Sequence, residues 1–361
     1  MRHVHIGADA LGLGLLVRLT GGDSNLDVVV AESSHDHPEA VQALREHSGY
    51  HWSVASSSTM PNAWQQLWTV VDETVDIDGN LDQLGQLISD SQTVLLSMTM
   101  PDEGWSHRVG VLAPLLEERS TSSGSEIAVI VCGGTDRNIL QLGQDLSLHP
   151  NISFPAVVAD RECSTPYIGT GGKVAIEVED YYLLAVQDAE RITKARQSLE
   201  SLQHVIFTEY VSTLSLLKQR LFDAPVFIAV LFAICDGQGR LDDYVRSGDG
   251  ESLLEKALEE CLIAFRREAD SVALGQLGLD ESRLRDYSQQ TIRRVLDFPR
   301  EVSDVVQLGA EHSVRKVARL AQQTLLPPCE AYRKATGKNG EILSIATRAA
   351  VRVINAAFNY S

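Results

Sequence analysis

Residues 1–32, MRHVHIGADALGLGLLVRLTGGDSNLDVVVAE, run as a short apolar strand, a glycine-bearing turn, a helix, a second strand and a closing acid. No other segment limits the fold as much, because two strands joined through a tight turn and a helix form the opening βαβ unit of a parallel sheet. Where such a unit binds a dinucleotide, three glycines spaced G-x-G-x-x-G make the turn, admit the diphosphate to the backbone and let helix and strand pack closely. Gly7 and Gly12 hold the first and third places, Asp9 holds the second, and Gly14 follows inside the helix. Glu32 ends the second strand, where an acid is expected to take ribose hydroxyls. The carboxylate of Asp9 adds bulk and a like charge where a diphosphate would lie, so the fold signal is strong and the cofactor signal compromised, while the retained Gly7, Gly12, Gly14 and Glu32 keep dinucleotide binding open. Its competing role is to cap the helix, since aspartate accepts hydrogen bonds from the first helical amides.

Valine-, isoleucine- and leucine-rich runs recur as far as about residue 160, with helix-like stretches between them, and predict strands at 3–6, 27–31, 93–98, 126–131 and 156–159. Runs such as TVLLSM and IAVIVC are continuous rather than alternating, as expected of parallel strands buried on both faces. Residues 50–58 and 64–78 read as an antiparallel excursion, the second equally compatible with helix. Residues 120–125 (STSSGS) read as a polar hinge, and 173–187 as one or two strands closing the first domain. From about residue 198 the period becomes helical, as in Leu253, Leu254, Ala257, Leu258, Cys261, Leu262 and Phe265. Helices are predicted at 281–296, 304–324 and 341–358, with Pro327-Pro328 breaking the run between the last two. The expectation is an α/β chain: a Rossmann-type parallel-sheet domain over 1–200, then an all-helical domain over 201–361.

A net charge of −18 argues against nucleic acid and against an anionic membrane surface as partners. The most apolar run, residues 225–235 (PVFIAVLFAIC), falls short of the roughly 20 residues that span a bilayer and reads as a buried helix. The N-terminus lacks a basic, apolar, small-residue leader pattern, so a cytoplasmic location is expected. Cys132, Cys163, Cys235, Cys261 and Cys329 are odd in number and without CxxC spacing, which points to reduced thiols. His35 and His37 flank Asp36 in what reads as a solvated loop, and no metal site is expected.

Several local runs, taken in order along nearly the whole chain, carry a resemblance. They are HIGADALGLG at 5–14, CGGTDRNILQL at 132–142, Val157-Val158-Ala159-Asp160-Arg161, and Ser313-Val314-Arg315-Lys316-Val317. Together they resemble the long-chain polyol dehydrogenase family, and within it the mannitol-1-phosphate 5-dehydrogenases. The resemblance implies NAD or NADP as cofactor and a helix bearing Lys-x4-Asn-x2-His, whose lysine takes the hydroxyl proton while Asn and His orient the oxygen. In the matching stretch those three places hold Arg220, Pro225 and Ile228, around a retained Leu221-Phe222 pair. Arginine stays protonated and cannot accept the proton, and proline and isoleucine offer no side-chain hydrogen bond. Sliding the register by two brings in Lys218 as a replacement base together with Asp223, but still supplies no histidine.

The family's Gly-Pro after the fourth strand reads Met100-Pro101, and its Glu-Asn reads Gly133-Gly134. The candidate site is therefore Lys218, Arg220 and Asp223 for catalysis. Gly7, Asp9, Gly12, Gly14, Glu32 and Met100 are the candidates for the cofactor, and Arg315 and Lys316 for an anionic substrate. Two functions follow. One is an NAD- or NADP-dependent oxidoreductase that has lost or altered polyol oxidation and acts on a small anionic molecule. The other is a non-catalytic pseudoenzyme, a ligand-binding or scaffolding subunit with a protein partner.

Overall fold

The strands in chain order are β1 Arg2–Ile6, β2 Asp27–Glu32, β3 Gly49–Val54, β4 Leu67–Val70, β5 Glu73–Asp76, β6 Thr93–Thr99 and β7 Ile127–Cys132. They continue with β8 Ile152–Ser153, β9 Val157–Asp160, β10 Tyr167–Ile168, β11 Val174–Val178, β12 Leu183–Gln187 and β13 Val205–Thr208. These come from a computed structural model that describes residues 1–23, 26–55, 67–99, 105–122, 124–132, 149, 151–189, 192–298, 300–303 and 313–358. The chain divides into two compact units, Met1–Val54 with Met60–Val211, and Ala55–Thr59 with Ser212–Ser361.

In the first unit six strands form an all-parallel sheet in the order β5-β2-β1-β6-β7-β8. The reason is visible in β6, TVLLSMT, which is buried at every position. Leu96 and Met98 pack with Leu84 and Ile88 of helix Leu81–Ser89 and with Leu112 and Leu116 of helix Trp105–Ser122. Leu95 faces the other way, toward Leu15, Leu16 and Leu19 of the first helical segment and Leu199 of helix Thr193–Leu199. A strand covered on both faces needs an apolar side chain at nearly every place, hence the continuous run. Strand order reverses between β1 and β6, so the carboxyl ends of these two strands flank the crevice where open α/β sheets take ligands.

Two smaller sheets complete the unit, β10-β11-β3-β4 and β13-β12-β9. The excursion expected at 50–58 and 64–78 is real in part: β4 runs antiparallel to β3, while β5 returns to the main sheet as its edge. The run at 173–187 is two strands in two different sheets. The strand expected at 156–159 forms one residue later, outside the parallel sheet, and pairs antiparallel with β12. Only Val158 and Asp160 on β9 are buried, the one-sided pattern of a strand with one covered face. Residues 120–122, expected in a hinge, are the last helical turn. There Ser120 Oγ donates to Glu117 O at 2.7 Å and Ser122 Oγ to Glu118 O at 2.8 Å, so the hydroxyls bond back into the helix.

The second unit is helical among its described residues. Helix Ala224–Cys235 is buried from Ala224 through Leu231 and packs against helices Asp249–Glu268 and Glu341–Phe358. The apolar stripe of Asp249–Glu268 buries Leu254, Ala257, Leu258, Cys261 and Phe265. Helix Glu281–Asp297 lies where the period placed it. Of the helix expected at 304–324, residues 304–312 lie outside the described residues and Ser313–Leu320 is helical. Pro327-Pro328 does not break the chain direction. A π-helical turn, Ala321–Leu325, leads into helix Leu326–Thr336, and the prolines occupy its first turn, where no intrahelical amide is required. No helix among the described residues is long and apolar enough to cross a membrane.

Candidate functional site

β1 ends at Ile6, and Gly7 turns the chain with φ 119°, a conformation that a side chain would strain. Its amide donates to Ala31 O at 2.9 Å, which fixes the turn against the end of β2. Asp9 then closes the start of the helix: its Oδ1 accepts the Gly12 amide at 2.9 Å, and its Oδ2 accepts the hydroxyl of Thr99 at the end of β6. The aspartate in the second glycine place thus sits in the crevice between β1 and β6, occupying a helix N-terminal amide with its own negative charge.

Gly12 and Gly14 are packing residues. A Cβ on Gly12 would collide with the His5 ring, and one on Gly14 would land on Cys163 Sγ with Val178 Cγ1 at 3.2 Å. The chain here is a π-helical segment, Gly12–Val17, buried throughout. Glu32 is 2 % exposed and turned inward. Its Oε2 accepts the Ala8 amide at 2.5 Å and its Oε1 the Ser33 amide at 2.7 Å. Two further carboxylates flank the same loop, with Asp76 Oδ1 accepting from Ser34 N at 3.1 Å and Asp78 Oδ2 from Ser33 Oγ at 2.7 Å. Met100, with Pro101, Gly133 and Gly134, lies outside the described residues.

Behind the turn is a polar relay that the sequence reading did not single out. His3 Nδ1 meets Thr20 Oγ1 at 2.7 Å, His3 Nε2 meets Ser97 Oγ at 2.6 Å, and His5 Nδ1 meets Ser97 Oγ at 2.7 Å. Both histidines are buried, and desolvation drives the pKa of His3 down to about 3, so its ring is neutral. The available signal was the alternation His3-Val4-His5-Ile6, which puts both rings on one face of β1, together with the lone serine in the apolar run of β6. Arg161, the arginine of the run at 157–161, clamps the same region. Its guanidinium donates to Gly14 O at 3.0 Å and to Glu179 O at 2.8 Å, and burial lowers its pKa to about 10.

In the second unit the stretch matched to the family's base forms another π-helical turn, Gln219–Asp223. In an α-helix, at about 100° per residue, positions five apart would point about 140° away from each other. The wider turn brings Lys218 and Asp223 to one side, where Lys218 Nζ donates to Asp223 Oδ1 at 2.6 Å. A carboxylate so close favours the charged ammonium, which donates protons and has no lone pair to accept one.

Arg220 is 4 % exposed and forks onto Glu268 of the neighbouring helix, at 2.7 and 3.1 Å. Pro225 sits in the first turn of its helix and Ile228 is fully buried, so neither place presents a polar group. Phe222 is faced by Arg294 at 3.7 Å, Arg300 at 5.6 Å and Lys218 at 5.7 Å from its ring centre. Arg315 and Lys316 lie on helix Ser313–Leu320, with side chains outside the described residues.

Solved structures share this architecture. Mannitol 2-dehydrogenase of Pseudomonas fluorescens, in a ternary complex with NAD and D-mannitol, matches with a TM-score of 0.66 at 13% identity, over 98% of this chain and 79% of that one. A D-sorbitol dehydrogenase in substrate-free form matches with a TM-score of 0.70 at 13% identity, over 98% of this chain and 80% of that one. The chain has the fold of a long-chain polyol dehydrogenase. A 2-dehydropantoate 2-reductase from Methylococcus capsulatus matches more loosely, with a TM-score of 0.52 at 13% identity, over 99% of this chain and 98% of that one. No protein-family model matches the sequence, and no curated protein is significantly similar to it.

Proposed function

We propose that this chain is an oxidoreductase-like protein that keeps the polyol dehydrogenase fold without polyol oxidation. In this reading it takes a small anionic molecule, and its hold on a dinucleotide is weak. The observation that carries the reading is Asp9. Its carboxylate takes the Gly12 amide and the Thr99 hydroxyl in the crevice where a diphosphate is expected, so a dinucleotide must displace or approach a fixed negative charge. The second unit supports it. Arg220 is spent on Glu268, Pro225 and Ile228 replace the orienting pair, and Lys218 is held as an ammonium by Asp223.

Between the two nicotinamide cofactors the reading favours NAD. Glu32, Asp76 and Asp78 gather at the end of β2, where a 2′-phosphate would add negative charge to negative charge. The pseudoenzyme reading is favoured by the same Asp9 contacts. NADH titrated against tryptophan fluorescence, with NAD-coupled oxidation of mannitol, mannitol 1-phosphate and 2-hydroxy acids, separates the cases. Millimolar or absent NADH binding and no polyol turnover are expected. Micromolar NADH binding with polyol turnover would overturn the proposal.

A further inference from the structure

We propose that the outward face of the sheet β10-β11-β3-β4 docks a second copy of this chain, giving a weak two-fold dimer. The surface belongs to the first unit and shares no residue with the turn at Gly7 and Asp9. Strand register defines it. Tyr167 pairs with Ala175, Ala175 with His51 and His51 with Trp68, so these four residues form one row across all four strands. Their chain neighbours Tyr50, Trp52, Val174 and Ile176 pack into the core, and alternation along a strand therefore turns the row outward.

The exposed apolar side chains gather here. Trp68 and Val70 on β4 and Tyr167 on β10 stand exposed on this face, and Leu67 and Ile168 stand exposed on the same two edge strands. Soluble proteins commonly protect an edge with charge or proline, yet β4 reads LWTV and β10 reads YI, with neither. Trp68 lies over Gly49, where an added Cβ would come within 2.7 Å of the indole, so the ring covers the sheet. Apolar side chains collected on one face in this way mark a contact surface rather than scattered exposure.

The charges of the face select its occupant. Lys173, Ala175 and Glu177 alternate along β11 on the outward side, so the strand is positive at one end and negative at the other, about 13 Å away. Neither charged side chain has an ion pair or hydrogen bond among the described residues. Lys173 rests 5.0 Å from the centre of the Trp68 ring, a weak exposed contact that its flexible stem can leave. A two-fold axis along the row from Tyr167 to Trp68 lays a second copy face to face with its strands reversed. Each row residue then meets its own copy, and Lys173 of either chain meets Glu177 of the other, the reciprocity of an isologous interface. Stacking without reversal would set Lys173 on Lys173 and Glu177 on Glu177. Ala175, small and central, lets the two sheets approach to the roughly 10 Å of packed sheets. The four strands and the span from Lys173 to Glu177 make a patch of roughly 20 by 15 Å. This is smaller than the roughly 800 Å² per partner of a standard interface, so the dimer is weak, with a Kd on the order of 100 μM.

Sedimentation velocity of the full chain, from about 5 μM to about 1 mM, is the test. A concentration-dependent shift from monomer to dimer is expected. Lys173→Glu and Glu177→Lys should each weaken it about tenfold or more, because either change turns two attractive contacts into repulsive ones. The double exchange, Lys173→Glu with Glu177→Lys, should return the dimer to within about threefold of wild type, which a mere loss of the Lys173 contact with Trp68 could not do. Tyr167→Lys, which places a charge against its own copy on the axis, should also weaken the dimer, whereas Lys338→Glu, an exposed change in the second unit, should leave it unaltered. Circular dichroism identifies a variant that does not fold; if Lys173→Glu is one, Glu177→Lys and Tyr167→Lys still decide. A monomer at every concentration, a dimer indifferent to the folded single variants, or a double exchange as weak as the single changes would overturn the assignment. No dinucleotide enters this experiment, so its failure leaves the reading of the crevice standing.

Discussion

Changing Asp9 to asparagine isolates charge from geometry. Asparagine caps a helix about as well as aspartate, so the hydrogen bond to the Gly12 amide and the fold should survive while the negative charge goes. Two unit charges 4 Å apart interact by about 1 kcal/mol in water and about 4 kcal/mol at an effective dielectric of 20. Asp9 is half-buried, which places the relief of repulsion toward a bound diphosphate near 2 kcal/mol, or roughly thirtyfold in Kd. Asp9→Gly should gain at least as much affinity, since it also frees the Gly12 amide and removes bulk, but it loses the cap. Glycine is itself a tolerated cap, so that loss costs only about 0.3–0.5 kcal/mol, or about 1–2 °C in Tm for a unit of this size. Energy transfer from tryptophan to NADH is the assay, with Trp52 of β3 in the same unit as the turn as one donor. If both variants fold and neither binds NADH more than about threefold tighter than wild type, the carboxylate is not what opposes the dinucleotide and the reasoning fails.

Gly14→Ala should destabilise the first unit by about 1–3 kcal/mol, because the new methyl meets the Cys163 sulfur; adding Cys163→Gly should recover most of the loss in urea melts, and full additivity would refute the contact. Buried His3 stays neutral down to about pH 3, whereas the unfolded chain binds that proton near 6.5. Below pH 6.5 the unfolded state therefore holds more protons, and folding stability falls by about 1.4 kcal/mol per pH unit as the pH drops toward 3. His3→Gln should flatten that slope by one proton in denaturation series between about pH 4 and 7, and an unchanged slope would count against a buried neutral ring. Arg220→Met should cost the second unit about 1–3 kcal/mol by stranding Glu268, which is 31% exposed and partly hydrated. Arg220→Lys should recover only part of this because it lacks the fork, and a melt indistinguishable from wild type in either variant would remove the pair as a structural element.

What was legible beforehand was whatever depends on a local period. A strand buried on both faces must be apolar throughout, so β6 and β7 stood out as continuous runs, and the helix Asp249–Glu268 showed its stripe at three- and four-residue spacing. The turn at Gly7 was legible because few residues tolerate its backbone, and the capping role of Asp9 because that chemistry spans three residues. Long-range pairing was not legible. Thr99 reaches Asp9 across ninety positions, Ser97 bridges His3 and His5 from a different strand, and Arg161 finds Gly14 O from 147 residues away.

The assignment of β9 to an antiparallel sheet and the meeting of Lys218 with Asp223 across a π-helical turn likewise depend on where the chain goes next. Composition and period decide which elements form and which of their faces are covered, because those energies are summed over neighbours in the chain. Which polar groups meet is decided by packing, because a hydrogen bond or ion pair exists only when the whole fold brings its two partners within about 3 Å.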